Sequence, residues 1–226
     1  MGNIYNTDFF KGIKTLNSKV DYVVTSPPYN RKRNDKYSFY NDTIDNYYDF
    51  LIKTVEELKK VTCKHIFFNI QTNYYNKKDV YKFIGHYYDE IQQIIVWEKS
   101  NPLPANGFNI TNAYELIIVL GKEPLKGSHT YIKNHITTSV NTNTFKTHKA
   151  VMNYDVAEWL FKSFIPKNSL VLDPFMGTGT TAIACINNEC DYVGFEISKE
   201  YYDISQERLK KGKNKWTNTL LNMGIA

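Results

Sequence analysis

The sequence predicts an α/β protein with a doubly wound, mostly parallel sheet, and two observations indicate this class. Short apolar, β-branched runs alternate with segments of helical periodicity along the 226 residues, which is typical of βαβ units. One of the runs leads through a glycine turn directly into a helical pattern. Open α/β sheets bind ligands at such turns, beside the carboxyl ends of their strands. We therefore expect a binding cleft at one edge of the sheet.

The predicted elements follow one another in a regular order. The strands are expected at 22–25, 65–70, 94–97, 116–120, 170–172 and 192–195. The helices are expected at 47–60, 76–88, 154–164, 180–187 and 199–209. The alternation is interrupted at 121–149, which is polar, rich in Thr and Asn and weakly patterned. We expect one domain over residues 1–226, with an insertion at about 121–149 that meets a macromolecular substrate.

The composition argues against a membrane protein and against a metal site. Hydrophobic residues make up 42% of the chain and charged residues 23%, as in ordinary globular proteins. No apolar run approaches the roughly 20 residues that span a bilayer, and the first four residues lack a signal pattern, so the sequence predicts a cytosolic protein. The three cysteines have no C-x-x-C spacing and the five histidines are scattered, which predicts catalysis without a metal.

The first informative motif is TSPPYN at residues 25–30. It follows an apolar run, and two adjacent prolines end a strand because neither donates a ladder hydrogen bond. The sequence therefore predicts a rigid polar turn that carries an exposed ring at Tyr29. Basic residues follow at once, at Arg31, Lys32, Arg33 and Lys36. With a net charge of +5, they are compatible with phosphate contacts, although a solvated loop has the same composition.

The second motif is LVLDPFMGTGTTA at residues 170–182. Gly177 and Gly179 suit a tight turn before a helix, but Asp173 at the strand end would repel the pyrophosphate of a dinucleotide. The ammonium and sulfonium groups of S-adenosylmethionine would instead be attracted. Glu196 ends the next predicted strand, where a carboxylate accepts hydrogen bonds from ribose hydroxyls. A turn without a ligand and a nicotinamide dehydrogenase remain alternatives.

Together, TSPPY and DPFMGTGTT resemble the motifs of the amino-methyltransferases of DNA. That family carries a (D/N/S)-P-P-(Y/F) motif and an F-x-G-x-G motif, and the order found here is similar to its β arrangement. The resemblance implies a Rossmann-like, S-adenosylmethionine-dependent fold with target recognition at 121–149. That segment is short for the family, which suggests a brief recognition sequence or help from a second subunit. The prolines that usually surround the position of His148 are missing.

The resemblance also implies a set of site residues. The catalytic turn comprises Ser26, Pro27, Pro28 and Tyr29. The cofactor-binding residues comprise Asp8, Phe9, His148, Asp173, Pro174, Phe175, Gly177, Gly179, Thr180, Thr181 and Glu196. The DNA-binding residues comprise Arg31, Lys32, Arg33 and Lys36.

Transfer of a methyl group to an exocyclic amino group explains the chemistry of the polar turn. The amino nitrogen is a poor nucleophile, and acceptors for its hydrogens favour the more tetrahedral geometry of the transition state. Ser26 Oγ and the Pro27 carbonyl are candidate acceptors, and Tyr29 is a candidate platform for a flipped base. The turn lacks the cysteine that a cytosine C5 enzyme would need. Ser26 slightly favours cytosine N4 over adenine N6 within the family.

Two other functions remain open at the level of sequence. RNA and protein-glutamine methyltransferases use similar turns, although they more often place the glycine motif first. A catalytically inactive DNA-binding module would retain the basic residues. The partners expected are DNA and S-adenosylmethionine, with a homodimer and a restriction endonuclease for the same site as open questions.

Overall fold

The structure is a computed structural model and describes residues 2–32, 42–102, 111–129, 131–139 and 152–211. The strands are β1 (Asn3–Asn6), β2 (Val20–Thr25), β3 (Thr62–Ile70), β4 (Ile91–Lys99), β5 (Tyr114–Gly121), β6 (His135–Thr138), β7 (Leu170–Asp173) and β8 (Asp191–Glu196). The helices are α1 (Phe9–Gly12), α2 (Tyr47–Val61), α3 (Lys77–His86), α4 (Tyr154–Phe164), α5 (Thr180–Asn187) and α6 (Lys199–Lys210), with a 3₁₀ turn at Ile13–Thr15.

The eight described strands form one sheet in the order β1-β8-β7-β2-β3-β5-β4-β6. Among them, β5 alone runs against its neighbours, since it pairs antiparallel with both β3 and β4. Consecutive strands that lie side by side can pair in this way without the crossover helix that parallel neighbours need. As a result, the amino end of β5 lies beside the carboxyl ends of the other strands. We call this side of the sheet its carboxyl edge.

Helices cover both faces of the sheet, which confirms the doubly wound class. One face packs against α4 and α5 through residues such as Val24 and Phe67. The opposite face packs against α2 and α3 through Val23 and Phe68, the residues next to Val24 and Phe67 in the chain. Successive residues of a strand point to opposite faces, so a strand buried on both faces reads as a continuous apolar run. That property made the central strands visible in the sequence.

The predicted strands and helices are confirmed with small changes of boundary, including a helix predicted at 76–88 that spans Lys77–His86, but three short elements were not predicted. β1 buries only Ile4 of its four residues, so it has no apolar pattern. α1 has a single turn, which is too short for helical periodicity. β6 lies within residues 121–149, whose weak pattern predicted no strand. It pairs parallel with β4 as the outermost strand of the sheet. Within the described residues, no helix has the length and apolar content needed to cross a bilayer.

Candidate active site at the carboxyl edge of the sheet

The glycine turn joins β7 to α5 and uses backbone conformations that glycine adopts most readily. Gly177 has φ 54° and Gly179 has φ 87°, both in the left-handed region. A Cβ on Gly179 would also lie 3.1 Å from Ser205 Cβ. Behind the turn, buried Arg208 donates to the carbonyl and to the hydroxyl of Thr178. α6 therefore fixes the shape of this turn from the protein side.

Asp173 holds the turn together from within. Its Oδ1 accepts from Thr25 Oγ1 at 2.9 Å and from the Phe175 backbone N–H at 3.0 Å, and its Oδ2 accepts from Thr181 Oγ1 at 2.6 Å. Burial raises the pKa of this carboxyl from 3.8 to about 6, although the three hydrogen bonds oppose the shift. The Thr25 contact also joins the end of β2 to the end of β7, so the two sequence motifs leave neighbouring strands.

Replacing Asp173 by asparagine is expected to remove a pH dependence of stability. The folded protein binds the Asp173 proton more tightly than the unfolded chain does, so its stabilising contribution is complete below pH 3.8 and is lost as the pH rises through about 6. At 1.36 kcal/mol per pKa unit, the loss is on the order of 3 kcal/mol. Urea unfolding of the wild type and Asp173→Asn across this range measures the difference. Parallel pH profiles for the two proteins would contradict the assignment.

Glu196 frames the other side of the turn, at the end of β8. Its Oε2 accepts from the Gly177 backbone N–H and its Oε1 from the Ser198 backbone N–H, both at 2.7 Å. A carboxylate accepts up to about four hydrogen bonds, and Glu196 accepts from the backbone at Gly177, Ile197 and Ser198, so it retains capacity for a ligand. Burial raises the pKa of Glu196, against the effect of these hydrogen bonds. The next residue, Ile197, is 56% exposed, so the chain presents an apolar side chain at the surface directly after Glu196.

An aromatic cluster lines the turn near α1. Phe9 is buried, and its ring centroid lies 5.6 Å from that of half-buried Phe175. Phe50 of α2 lies 5.9 Å from the same Phe175 ring. Asp8 is partly exposed and caps α1 by accepting from the Lys11 backbone N–H at 3.2 Å. The structure thus brings the predicted segment at Asp8 and Phe9 to the glycine turn.

The predicted cofactor residues differ in how much surface they present. Phe175 and Gly177 are partly exposed. Four others are buried beneath them: Pro174, Gly179, Thr180 and Thr181. The buried members therefore shape the turn and the start of α5 instead of offering surface to a ligand.

The polar turn follows β2 at the same edge of the sheet. Tyr47 of α2 donates to the Pro28 carbonyl at 2.7 Å, which fixes the turn against α2. The expectation of an exposed ring at Tyr29 is wrong in this structure, since that residue is 8% exposed. The reason is a polar partner inside the protein that local sequence did not reveal, since the Tyr29 hydroxyl donates to Glu115 Oε2 at 2.8 Å.

Glu115 lies at the centre of a buried polar network. Its Oε2 also accepts from Asn69 Nδ2 at 2.8 Å, and its Oε1 pairs with Lys99 Nζ at 2.7 Å. The Lys99 and Glu115 side chains are only 11% and 6% exposed. Ser26 Oγ lies 2.6 Å from the Tyr29 hydroxyl, and Asn69 Nδ2 donates to that hydroxyl at 2.8 Å. Burial, and then the Glu115 carboxylate, raise the pKa of Tyr29 well above its usual value, so the phenol keeps its proton.

The geometry of the network sets the direction of its hydrogen bonds. Tyr29 gives its proton to the carboxylate of Glu115, so the hydroxyl of Ser26 is the donor to the Tyr29 oxygen. Asn69 Nδ2 also donates to Ser26 Oγ, at 3.4 Å, so one lone pair of Ser26 Oγ remains as an acceptor. Ser26 is partly exposed, so this acceptor can serve a ligand at the edge of the sheet.

Sequence reasoning missed Asn69 and Glu115 as functional residues. Because β5 runs in the reverse direction, its second residue, Glu115, lies at the carboxyl edge of the sheet. Asn69 and Lys99 lie at the same edge, at or near the ends of β3 and β4. One signal was present in the sequence. Glu115 directly precedes the apolar run 116–120, and a charged residue in a buried strand usually has a buried partner.

The basic residues after the polar turn are described only in part. The backbone N–H of Arg31 donates to Asp42 Oδ2, its Nη2 donates to Gln71 Oε1 at 2.7 Å, and its guanidinium lies 5.5 Å from the Tyr29 ring centroid. Lys32 is exposed. The predicted roles of Arg33, Lys36 and His148 fall outside the described residues.

The fold and the site define an α/β protein in which a glycine turn with an acidic frame and a proline-stiffened polar turn share one edge of the sheet. The chain belongs to the N6/N4 DNA methylase family, whose model, described as DNA methylase, matches residues 20–207. This confirms the family that the two motifs indicated.

Two curated methyltransferases are similar to this chain over most of its length. The type II methyltransferase M.MwoI of Methanothermobacter wolfeii is 28% identical over 92% of this chain and 34% of its own length. The orphan methyltransferase M.BamHII of Bacillus amyloliquefaciens is 27% identical over 84% of this chain and 89% of its own length. The chain thus spans about a third of the first protein and most of the second.

Solved structures share the fold. The PvuII DNA methyltransferase, described as cytosine-N4-specific, matches with a TM-score of 0.77 at 17% identity and covers 92% of this chain and 86% of its own. The M1.HpyAVI complex with SAM matches with a TM-score of 0.69 at 25% identity, over 92% of this chain and 99% of its own. The first likeness shows the fold alone, and it confirms the predicted Rossmann-like class.

Proposed function

We propose that this protein transfers a methyl group from S-adenosylmethionine to the exocyclic amino group of a flipped base in DNA, with cytosine N4 favoured over adenine N6. One observation carries the proposal. The hydrogen bond from Thr25 to Asp173, at 2.9 Å, joins the strand that ends in the polar turn to the strand that ends in the glycine turn. A methyl donor on one turn and an amino group on the other would therefore meet at a single edge.

The residues of the glycine turn fit S-adenosylmethionine. Glu196 is a carboxylate with unused acceptor capacity, suited to ribose hydroxyls, and exposed Ile197 beside it offers an apolar surface to the adenine. Asp173 contributes negative charge near a cationic ligand, although its own hydrogen bonds stay within the protein. We assign Asp8 and Phe9 to the adenine side, because α1 lies against Phe175.

The polar turn supplies acceptors for the amino group. When bound, the cofactor provides a methyl group on a sulfonium that leaves as a neutral thioether. Ser26 Oγ, whose own proton points to Tyr29, accepts one amino hydrogen and favours a tetrahedral nitrogen. The Pro27 carbonyl is the second acceptor, and the neighbouring prolines keep it rigid. The nitrogen loses one proton after the new C–N bond forms, and solvent takes it up.

We assign Tyr29 to the flipped base. Flipping costs a few kcal/mol, and an aromatic platform returns roughly 1–3 kcal/mol per base. Glu115 and Asn69 hold the hydroxyl end of this ring, while the Arg31 guanidinium lies over the ring. Because Tyr29 is 8% exposed and Arg31 lies over its ring, stacking requires the Arg31 side chain to move aside, while the fixed Tyr29 ring itself loses little conformational entropy.

The remaining assignments concern DNA recognition. We propose that residues 121–149 read the target sequence as part of a single domain over 1–226. A recognition segment this short would suit a brief site, or a second subunit that contributes contacts. Arg31 and Lys32 would bind flanking phosphates together with Arg33 and Lys36.

The test is identification of the methylated base. Purified protein is incubated with DNA and a methyl-labelled cofactor, and the DNA is digested to nucleosides. For the wild type, we expect the label in N4-methylcytosine. For the double variant that carries both Ser26→Ala and Tyr29→Ala, we expect no label. Label in N6-methyladenine would correct the choice of base. Label in RNA or in protein glutamine, with none in DNA, would overturn the proposed substrate, and binding of DNA without any transfer would indicate an inactive binding module.

A further inference from the structure

The loop between β3 and α3, residues 71–76, carries two exposed aromatic rings. Tyr74 is 69% exposed and Tyr75 is 53% exposed. Their ring centroids lie 5.3 Å apart with the planes nearly perpendicular. Exposed tyrosine rings offer faces on which nucleobases stack, because every base has a π face. The position of the loop decides whether these rings can serve the proposed reaction.

The backbone beneath the rings is rigid. Asn73 Oδ1 accepts from the backbone N–H of Tyr75 at 2.8 Å and of Asn76 at 3.2 Å. In return, Asn76 Oδ1 accepts from the backbone N–H of Asn73 at 2.7 Å. Asn76 is fully buried. A ligand that binds here therefore meets a loop whose backbone is already ordered, which lowers the entropic cost of binding.

The same loop is bonded to the polar turn. The Tyr29 carbonyl accepts from Asn73 Nδ2 and from Asn76 Nδ2, both at 2.8 Å. Gln71 Oε1 accepts from Arg31 Nη2 at 2.7 Å. The two exposed rings and the turn assigned to the flipped base are thus parts of one hydrogen-bonded unit, so a nucleic acid strand entering the pocket would pass beside them.

Positive charge accompanies the rings. Lys32 Nζ lies 5.8 Å from the Tyr75 ring centroid, and Lys77 Nζ lies 5.7 Å from the Tyr74 ring centroid. Both lysines are exposed. Aromatic faces with adjacent ammonium groups match the two components of a nucleotide, the base and the phosphate.

We propose that Tyr74 and Tyr75 form a stacking platform for an unstacked base next to the target nucleotide, with Lys32 and Lys77 on the adjoining phosphates. We call these rings the tyrosine platform. This inference rests on the proposed function, because it takes DNA as the substrate. It adds a second base-binding surface outside the catalytic turn.

The experiment measures binding and local base stacking on one probe. The probe is a short DNA duplex that contains the methylated site, with an abasic target position and with 2-aminopurine as its neighbour. The abasic position removes the contribution of Tyr29. We expect Tyr75→Ala to weaken binding by about 10-fold and to reduce the quenching of 2-aminopurine. Cofactor affinity should stay unchanged.

Two variants serve as matched controls. Tyr75→Phe keeps the ring and is expected to bind within about twofold of the wild type, because stacking needs no hydroxyl. Tyr88→Ala removes a tyrosine that is 77% exposed but lies past the far end of α3, near the start of β4. Its binding should equal that of the wild type.

The outcomes separate this inference from the proposed function. If the wild type methylates the intact site while Tyr75→Ala binds the probe as tightly as the wild type, the platform is overturned and the function stands. An equal loss in Tyr75→Phe and Tyr75→Ala would show a hydroxyl contact to the DNA backbone, which also overturns stacking. A wild type that transfers no methyl group to DNA would overturn both.

Discussion

Replacing Tyr29 by alanine is expected to lower the rate of methyl transfer by on the order of 100-fold, because stacking of the flipped base is worth up to about 3 kcal/mol. The affinity for S-adenosylmethionine should change by less than about twofold, since the Tyr29 hydroxyl bonds to Ser26, Asn69 and Glu115 and not to the glycine turn. Single-turnover transfer and calorimetric cofactor binding measure the two quantities separately. Equal losses in both would contradict the role of Tyr29 in binding the base.

Tyr29→Phe distinguishes the ring from its hydroxyl. The variant keeps the stacking surface but loses the hydrogen bond to Glu115 Oε2, so a loss smaller than that of alanine is expected. It also removes the acceptor for the Ser26 hydroxyl, which lies 2.6 Å away. If phenylalanine and alanine were equally slow, the hydroxyl and its network would carry the effect, and the ring would not be the platform.

Glu115→Gln is expected to slow transfer by on the order of 100-fold, as does loss of one preorganised hydrogen-bonding group in other active sites. Lys99 keeps the amide oxygen on its side, which turns the amide nitrogen towards Tyr29 and Asn69. The amide N–H would then donate to the Tyr29 oxygen, which reverses the hydrogen bond between residues 29 and 115. Tyr29 would donate its own proton to Ser26, and the Ser26 proton would point at the substrate. Transfer by Glu115→Gln at the wild-type rate would contradict this account of how Ser26 becomes an acceptor.

Glu115→Ala adds a large loss of stability. It leaves Lys99 as a buried charge without its partner, which costs about 3–5 kcal/mol of unfolding free energy. The matched control is Glu189→Ala, whose pair with Lys167 has side chains 66% and 67% exposed and should contribute at most about 1 kcal/mol. Joint replacement by Lys99→Met and Glu115→Leu should recover stability without recovering transfer. Urea unfolding and single-turnover assays give both readouts, and similar losses for Glu115→Ala and Glu189→Ala would refute a buried pair.

The tyrosine platform and the network around Glu115 lie at the same edge of the sheet, but we propose different roles for them. In the proposed reaction, the network sets the protonation and orientation of Ser26 and Tyr29 at the reacting base. The loop at 71–76 holds the Tyr29 carbonyl, and we propose that it presents its own rings to the neighbouring nucleotide. Variants of the loop should therefore change DNA binding more than the rate of the bound complex, and variants of the network the reverse.

The sequence by itself determined the two turns and the class of fold. Each turn combines an apolar strand with residues that end it locally, the prolines at 27 and 28 and the glycines at 177 and 179, and such signals depend only on neighbours along the chain. Most helices and central strands were also predictable, because burial on one or both faces leaves a periodic or continuous apolar pattern.

The tertiary structure alone decided what surrounds the polar turn. Asn69, Lys99 and Glu115 come from three strands, and they meet because β5 lies between β3 and β4 and runs against both. Strand order and direction depend on pairings between distant segments, which local periodicity does not encode. Tyr29 is buried for the same reason, since its hydroxyl finds Glu115 only once the sheet has formed.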